Sequence, residues 1–441
     1  MKVAFYTLGC KLNQAETESL AGQFSQSGFQ LVSPNNVADI YIANTCTVTH
    51  IADRKSRHWL RLARRRNPQA LIIATGCYVQ RSHHELAQLA DLVVDNTEKE
   101  HLVEIVTSLS LPTPSFVLER TPLRHCERSE AISLLAATAR TRSLIKIQDG
   151  CHGPCTYCIV PKVRPREYSL PASQIIDEVK QKVALAYKEV VLTGTKVGSY
   201  KDTVLSSSEG SGTDLRDLVQ RILTSTGIER LRLSSLQPSE ISSELLALWQ
   251  DERLCRHFHL ALQSGSETVL QRMRRSYSLD QYRRTVNLIK EMIPEVAITT
   301  DIMVGFPGES DEEFEQSYSF CQQAGFANIH VFPFSLRPET AAAEMPGQIK
   351  DKVKQERNQR MLELSRSSRR RFCEQFLGQT MSVLWEQETS PESGIYSGLT
   401  SNYIRVFVHS EKSLNNEITP VKLVEFHNQG IWGEVIDENP G

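Results

Sequence analysis

The chain has 441 residues, 40% of them hydrophobic and 23% charged, with a formal net charge of −2. These values are those of a soluble globular protein of more than one domain, and they exclude a uniformly basic nucleic-acid-binding chain. No apolar run approaches the ~20 residues that a membrane-spanning helix needs, so we expect a cytoplasmic protein without a membrane partner. Because cytoplasmic thiols stay reduced, the ten cysteines indicate metal binding or catalysis rather than disulfides.

The first hundred residues alternate short apolar runs with polar, helix-like stretches, which predicts a parallel β-sheet covered by helices on both faces. The strand candidates are residues 3–9, 38–44, 70–76 and 91–96. Cys10, Cys46 and Cys77 each follow one of these candidates. Ligands of open α/β sheets bind at the carboxyl ends of the strands, so we expect the three cysteines to converge unless they are ordinary core residues.

A basic stretch, "DRKSRHWLRLARRR", comes shortly after the second of these cysteines and is predicted to be helical. The arginines on one face of that helix are Arg54, Arg57, Arg61, Arg64 and Arg65. This face is a candidate for binding RNA phosphates, although charge runs are more often solvated helix faces.

Beyond a predicted linker at 111–142, whose prolines and charges follow no lasting period, a second alternating series begins. Its six strand candidates, each followed by a helical stretch, predict a three-quarter β/α barrel with its chemistry at the C-terminal face of the strands. The candidates are residues 143–148, 189–194, 230–236, 257–263, 296–306 and 327–335. A long polar helix at 349–377 then leads to five short strands, which fit a small closed barrel of the OB-like kind.

The loop "QDGCHGPCTYCIVP", directly after the first strand of that barrel, holds Cys151, Cys155 and Cys158 at C-x3-C-x2-C spacing. Structural zinc, one alternative, needs four ligands, and His152 stands too close to Cys151 to complete a tetrahedral site without strain. An iron–sulfur cubane held by three thiolates keeps one iron open, and an open metal position is typical of chemistry rather than scaffolding. The glycines of the loop would let the backbone pass close to a bulky cluster.

This spacing, with an aromatic residue before the last cysteine, resembles the signature of radical S-adenosylmethionine (SAM) enzymes. In that superfamily SAM chelates the open iron, and one electron from the cluster cleaves it to a 5′-deoxyadenosyl radical. Within the superfamily, "YTLGCKLNQAETE", "NTCTVT", "TGCYVQ", "LALQSGS", "DIMVGFPGES" and "HVFPFSLRPET" are similar to segments of the methylthiotransferase family. The resemblance covers residue 1 to about residue 437, apart from the linker.

The resemblance implies two 4Fe–4S clusters, with SAM as cosubstrate. Cys151, Cys155 and Cys158 would bind the catalytic cluster that cleaves SAM, and a second cluster would be bound by Cys10, Cys46 and Cys77. The residues implied to contact SAM are Tyr157, Gly194, Thr195, Gln263, Ser264, Gly305 and Gly308. After the cysteine loop the chain departs from the family pattern, since Lys162 stands where the family has tyrosine and Pro165 where it has glycine.

The implied architecture is α/β with three domains. A flavodoxin-like parallel sheet would occupy 1–110, a radical SAM partial (β/α)6 barrel 143–372, and an all-β TRAM domain, which is an RNA-binding module, 375–438. In that last domain Tyr396, Tyr403 and Phe407 would either stack on bases or pack in the core.

The implied reaction is methylthiolation of C2 of an adenine at tRNA position 37. "TLGCKLNQ" and "NTCTVT" are most similar to the branch that acts on N6-threonylcarbamoyladenosine. Alternatives within the family are the isopentenyladenosine branch and the branch that modifies an aspartate of ribosomal protein S12; an alternative of another class is a non-catalytic iron–sulfur RNA-binding sensor. The expected partners are the tRNA anticodon stem-loop, a reductant such as flavodoxin or ferredoxin, and a sulfur donor.

Overall fold

The structure, a computed structural model, describes residues 1–109, 141–202, 212–390, 392–428 and 430–436. The chain divides into two units, and the first of them contains Ile159–Pro165 in addition to the N-terminal residues. Cys126 and the predicted linker up to residue 140 lie outside the described residues. Within the described ranges, no helix has the length and apolar character needed to cross a membrane.

The first unit is built on a five-stranded, all-parallel sheet with strand order β2-β1-β3-β4-β5. Its elements are β1 (Lys2–Thr7), α1 (Lys11–Gln26), β2 (Gln30–Val32), β3 (Ile40–Thr45), α2 (His50–Arg66), β4 (Leu71–Gly76), α3 (Cys77–Arg81), α4 (His83–Ala87), β5 (Leu92–Val94), a 3₁₀ turn (Lys99–His101), α5 (Leu102–Ser108) and α6 (Val160–Val163). In β3, Tyr41 joins the core on one face of the sheet, and Ile40 and Ile42 join the core on the other. The predicted double-sided burial is therefore confirmed.

Strand β2 is absent from the sequence-based prediction. It has three half-exposed or exposed residues and pairs only with the start of β1, where Gln30 lies opposite Lys2. An edge strand this short carries no apolar run, so the sequence gives no signal for it.

The second unit begins with two four-stranded sheets, in the orders β11-β8-β6-β7 and β12-β13-β14-β15. Its strands and helices up to the long helix are β6 (Arg142–Asp149), β7 (Tyr168–Ser169), α7 (Ala172–Ala184), β8 (Glu189–Gly194), β9 (Lys201–Asp202), β10 (Thr213–Asp214), α8 (Leu215–Ser225), β11 (Arg230–Leu233), β12 (Ser235–Leu236), α9 (Ser243–Leu246), β13 (His257–Leu260), α10 (Glu267–Arg272), α11 (Leu279–Met292), β14 (Ala297–Val304), α12 (Asp311–Ala324), β15 (Asn328–Pro333), α13 (Ala341–Glu344) and α14 (Asp351–Glu374). Short 3₁₀ turns lie at Val197–Ser199, Pro238–Glu240 and Ala247–Gln250.

The two sheets together form the predicted partial barrel, in which all strands except the two-residue β7 pair in parallel. The stretch 230–236, predicted as one strand, is divided at Ser234, so that β11 belongs to the first sheet and β12 to the second. Alternate residues of the strands face the surrounding helices: Ile145 and Ile147 of β6 lie in the main core with α7 and α8. The residue between them, Lys146, therefore projects to the opposite side, the inside of the barrel.

The long helix α14 leads to a closed five-stranded barrel with strand order β16-β17-β18-β20-β19. Its strands are β16 (Thr380–Glu388), β17 (Ile395–Thr400), β18 (Arg405–His409), β19 (Ile418–His427) and β20 (Gly430–Val435). Trp385 is fully buried at its centre, and its indole N–H donates to the Thr419 hydroxyl at 2.7 Å. The prediction of a small closed β-barrel is confirmed.

A buried ion pair of the partial barrel lies next to the C-terminal barrel, which its arginine also contacts. Arg232 of β11 donates to Glu189 of β8 at 2.8 Å, and both side chains are completely buried. The same guanidinium donates to the carbonyl of Ser401 at 3.0 Å, and the ring of Tyr403 lies under it. Burial alone would raise the pKa of Glu189, but Arg232 lowers it overall, so the carboxylate stays ionised.

We expect Glu189→Ala to destabilise the second unit by about 3–5 kcal/mol, because it leaves a guanidinium buried without its counter-charge. The measurement is urea unfolding followed by circular dichroism. Glu229→Ala is the matched control, since Glu229 pairs with Lys188 at 2.6 Å but its side chain is 49% exposed. It should cost about 0–1 kcal/mol. Equal losses in the two variants would contradict the assigned role of the buried pair.

Candidate metal centres

Three cysteines, which we call the first triad, lie at the carboxyl ends of three adjacent strands. Cys10 precedes the first residue of α1, Cys46 follows β3, and Cys77 begins α3 directly after β4. Since β1, β3 and β4 are neighbours in the sheet, the three residues share one edge of it. The structure thus brings together residues that are 36 and 31 positions apart in the sequence.

Two glycines shape the backbone at this edge. Gly9 and Gly76 have φ angles of +115° and +99°, a region that favours glycine. A Cβ atom on Gly76 would lie 2.4 Å from the carbonyl oxygen of Thr45, and one on Gly9 would lie 2.9 Å from the Cβ of Cys46. Any larger residue at either position would push the cysteine loops apart.

The sulfurs of the first triad influence one another electrostatically. Burial raises the pKa of Cys46 to about 12, with further increases from Cys77 and Cys10. The pKa of Cys10 is also raised, by burial and then by Cys77, while Arg164 lowers it. Metal binding at this edge must therefore displace protons.

A 4Fe–4S cluster fits the donors of the first triad. Within the described ranges, no three His, Cys, Asp or Glu side chains are close enough together to bind a single metal ion. A cubane distributes its thiolate ligands over separate irons, so they need not converge on one point. The fit rests on the three thiols at one sheet edge and on the close backbone approach that the glycines permit.

The second triad, Cys151, Cys155 and Cys158, lies on the loop after β6. Gly150 opens the loop with a φ of +75°, and a Cβ atom there would lie 2.1 Å from the carbonyl oxygen of Arg166. The N–H of Gly153 donates to the sulfur of Cys151 at 3.3 Å. Burial raises the pKa of Cys151, and this N–H lowers it. A thiolate at Cys151 would thus have a donor already in place.

An arginine that the sequence analysis did not single out contacts the second triad. Arg275 donates to the sulfur of Cys155 at 3.2 Å and to the hydroxyl of Tyr157 at 3.3 Å. Tyr157 also packs against the apolar cluster that includes Met303 and Phe306. Burial raises the pKa of Tyr157 well above its usual value, although Arg275 lowers it, so Tyr157 remains a neutral phenol.

Two of the residues predicted to contact SAM carry buried polar atoms that no other described residue satisfies. These atoms are the hydroxyl oxygen of Thr195, just after β8, and the amide oxygen of Gln263, just after β13. Gln263 also has a φ of +71°, uncommon for a residue with a side chain. Gly194 lies opposite Gln148 of β6, and a Cβ on Gly194 would lie 2.7 Å from the carbonyl oxygen of Gln148. Buried unsatisfied atoms suit ligand contact.

Three other residues predicted to contact SAM form hydrogen bonds within the protein. The Ser264 hydroxyl bonds that of Ser317 at 3.0 Å. The N–H of Gly305 donates to Glu309 at 2.7 Å, and that of Gly308 donates to the carbonyl of Gly347 at 2.8 Å. For all of these residues, SAM contact stays a prediction.

The basic helix α2 presents a narrower cationic face than the sequence indicates. Arg54, Arg61 and Arg65 are exposed. Arg57 instead forms an ion pair with Glu85 at 3.0 Å and donates to the hydroxyl of Tyr78, and Arg64 pairs with Asp91 at 2.5 Å. A depression of about 460 Å³ lies beside Arg61 and Arg65, away from the cysteines. RNA binding by this helix stays a prediction.

Two family models match the chain. One, described as the radical SAM superfamily, matches residues 145–321. The other, described as uncharacterized protein family UPF0004, matches residues 2–95. The first match covers most of the partial barrel, up to α12, with the second triad, and the other covers the parallel sheet with the first triad.

Full-length relatives give more detailed matches. The threonylcarbamoyladenosine tRNA methylthiotransferase MtaB of Bacillus subtilis is 34% identical over 456 residues, which covers 99% of this chain and 97% of that protein. The tRNA-2-methylthio-N(6)-dimethylallyladenosine synthase of Methylacidiphilum infernorum is 32% identical over 436 residues, 97% of this chain and 93% of that protein.

A solved structure resembles the chain in fold. The radical SAM methyltransferase TsrM of Kitasatospora setae, with cobalamin and a 4Fe–4S cluster bound, aligns with a TM-score of 0.53 at 15% identity, covering 78% of this chain and 77% of that one. At this identity the likeness concerns the fold alone.

Glu313 supports the second triad through Arg272. Its carboxylate accepts from Arg272 at 2.7 Å and from the N–H of Ser310, so that it also caps α12. The backbone carbonyl of Arg272 in turn accepts from the hydroxyl of Thr156 in the cysteine loop at 3.0 Å. The hydrogen bond from Arg272, ahead of the other influences, lowers the pKa of Glu313 to about 2.

We expect Glu313→Gln to cost about 1–2 kcal/mol at pH 7, because it replaces the ion pair with Arg272 by a neutral hydrogen bond, whereas the glutamine oxygen can still accept from the Ser310 N–H. A lowered pKa contributes stability above the ordinary value of 4.5 and loses it as the pH falls towards about 2. The difference from the wild type in urea unfolding should therefore shrink as the pH falls from about 5 to about 2. Glu312→Gln, at the exposed neighbouring position, is the control. A difference that did not change with pH would contradict the assigned ionisation.

Proposed function

We propose, from the premise that this chain belongs to the methylthiotransferase family of radical SAM enzymes, that it methylthiolates C2 of N6-threonylcarbamoyladenosine at position 37 of tRNA. The name of the Bacillus subtilis relative supports this substrate, as do the segments "TLGCKLNQ" and "NTCTVT". The observation that carries the proposal is the pair of cysteine triads, the first at the carboxyl ends of three parallel strands and the second on the loop after strand β6.

The second triad would hold the 4Fe–4S cluster that binds SAM, and the first triad would hold another. When bound, the clusters and SAM supply the radical that removes the hydrogen at C2 and the methylthio group that replaces it. The protein itself positions the ligands: Arg275 holds Cys155 and Tyr157 together, and Gly150 permits the tight entry into the loop. Thr195 and Gln263 offer buried oxygens to the polar groups of SAM.

Membership of this family also implies which domains carry the two triads and which domain follows them. The strand order of the first unit is that of flavodoxin-like sheets, which supports a domain of this kind at 1–110. The closed C-terminal barrel supports a TRAM domain at 375–438, after a radical SAM domain at 143–372. A reductant such as flavodoxin or ferredoxin would supply electrons, a sulfur donor would replenish the transferred sulfur, and a tRNA substrate would place the protein in the cytoplasm.

The anticodon stem-loop would meet two surfaces of the chain. On α2, the exposed guanidinium groups of Arg54, Arg61 and Arg65 would neutralise phosphates. In the C-terminal barrel, the half-exposed Phe407 lies beside Trp432, with ring centroids 5.9 Å apart, and offers an aromatic surface for base stacking. Tyr396 is a core residue, and Tyr403 stacks on His257 at 4.5 Å, so neither supports base stacking.

The test of this function compares the wild type with a variant in which Cys10, Cys46 and Cys77 are all alanine. Each full-length protein is purified without oxygen and also expressed in a bacterial strain that lacks its own tRNA methylthiotransferases. We expect about eight irons per wild-type chain and about four in the variant, which should still cleave SAM. Nucleoside mass spectrometry of tRNA should find methylthio-threonylcarbamoyladenosine with the wild type alone.

Cys373→Ala is the control, because Cys373 lies in the core of the C-terminal barrel and its loss should leave the iron content unchanged. Thiolation by the triple variant would overturn the role of the first triad. Methylthio-isopentenyladenosine in place of the threonylcarbamoyl product would overturn the substrate, and a wild-type protein that never cleaved SAM would favour a sensor.

We expect the variant with Arg54, Arg61 and Arg65 changed to glutamine to bind tRNA more weakly. The slope of log affinity against log salt should fall by about one unit per lost phosphate contact. Fluorescence anisotropy with labelled tRNA, across a range of salt concentrations, measures both quantities. Arg284→Gln is the control, since this arginine is 72% exposed on a different helix. An unchanged slope in the triple variant would show that α2 does not contact the RNA backbone.

A further inference from the structure

The segment Ile159–Pro165 completes the first unit. Ile159 and Val163 pack on Cys77 in a small buried apolar cluster, and the amide of Asn96 donates to the carbonyl of Val163 at 3.1 Å. The segment places the side chain of Arg164 inside the unit with 4% of its surface exposed. A charged side chain this deeply buried needs specific partners.

The guanidinium of Arg164 is directed at the first triad. Its Nε–H donates to the sulfur of Cys77 at 3.3 Å. Its two terminal nitrogens donate to the two oxygens of Glu16, at 2.8 and 3.0 Å, and one of them donates to the amide oxygen of Asn13 at 3.0 Å. That amide oxygen also lies 3.9 Å from the sulfur of Cys10. Arg164 therefore contacts Cys77 directly and is linked to Cys10 through Asn13.

The charges of this site balance only if Arg164 is included. Three thiolates on an oxidised cubane core of charge two plus leave one net negative charge. Glu16 adds a second negative charge. Lys99, which donates to Glu16 at 2.7 Å, compensates one of these two negative charges. The guanidinium of Arg164 compensates the other. Without it, a buried site would hold an uncompensated negative charge, which is unfavourable in a medium of low dielectric constant.

We propose that Arg164 is a positioning residue for the 4Fe–4S cluster of the first triad. Its guanidinium donates a hydrogen bond to the Cys77 thiolate and thereby raises the reduction potential of that cluster. The inference rests on the proposed binding of a cluster by the first triad. A donor to a ligand sulfur, together with a fixed positive charge, stabilises the reduced, more negative form of an iron–sulfur cluster. The planar fork of arginine suits this task, because it can bond sulfur and a carboxylate at once.

Arg164 could instead act only as a buried salt bridge that anchors its own segment. Three variants separate these roles. Arg164→Lys keeps the charge but loses the planar fork and its Nε–H donor, and Arg164→Gln loses the charge as well. Lys99→Met is the matched control, since Lys99 pairs with the same Glu16 carboxylate and donates to the Asn44 amide oxygen rather than to a cysteine sulfur.

The experiment uses the full-length chain with Cys151, Cys155 and Cys158 changed to alanine, so that the first triad carries the remaining cluster. Three quantities are measured in this background: the iron content, the midpoint potential by a titration followed with electron paramagnetic resonance, and the rate of iron loss to a chelator. Circular dichroism checks the fold. If this background binds no iron, the proposed cluster itself fails, and the failure is not that of Arg164.

We expect Arg164→Gln to have a lower midpoint potential and to lose iron about ten-fold faster. Arg164→Lys should also have a lower potential, because the hydrogen bond to sulfur is lost even though the charge remains. Lys99→Met should change the iron-loss rate less than Arg164→Gln does. If Arg164→Gln does not fold, Arg164→Lys decides. A folded Arg164→Lys protein with the wild-type potential, or equal effects of Arg164→Gln and Lys99→Met on both quantities, would overturn the proposal.

Discussion

Placing sulfur anions inside folded protein is the constraint on which both candidate metal centres depend. Desolvation raises the pKa of Cys46 to about 12 and also raises that of Cys151, so both hold their protons at neutral pH without a metal. A metal cluster favours the thiolate forms, but the resulting charge still has to be stabilised locally. The chain provides this with N–H donors aimed at sulfur, from the Gly153 backbone and from two arginines.

The two triads use the same arrangement in different folds. In the parallel sheet, Arg164 donates to Cys77 from 87 positions further along the chain, and in the partial barrel Arg275 donates to Cys155 from 120 positions further along. Each guanidinium also engages another acceptor, the carboxylate of Glu16 or the hydroxyl of Tyr157. Arginine suits both positions because it keeps its charge when buried and its donors have fixed directions.

Those elements that carry a strong local signal could be predicted from the sequence. The apolar strand at 189–194 has the predicted bounds, and the six main barrel strands and the closed C-terminal barrel are present. The short strands β2, β7, β9 and β10 are absent from the sequence-based prediction, because two or three residues carry no periodicity. The division of 230–236 between two sheets was missed as well, since it depends on pairing between distant strands.

In the metal centres, too, the features with a local sequence signal could be predicted, whereas the contacts between distant residues could not. The cysteines could be found because spacing and strand ends are visible in the sequence. Arg164 and Arg275 could not, because each becomes significant only through a contact made across a long stretch of chain. The segment that contains Arg164 was noted only for Lys162 and Pro165, where it departs from the family pattern. On α2, Arg57 and Arg64 form ion pairs with Glu85 and Asp91, which lie further along the chain and could not be assigned as partners from the sequence.

Because Ile159–Pro165 belongs to the first unit, that unit is discontinuous along the polypeptide. A fragment that stops at the linker would lack α6 and the guanidinium beside Cys77, and would therefore be an incomplete domain. The unit becomes complete only after ribosomal synthesis has passed residue 165, so its final packing must follow emergence of the cysteine loop. Recombination between homologues would likewise preserve the unit only if both of its pieces came from the same parent.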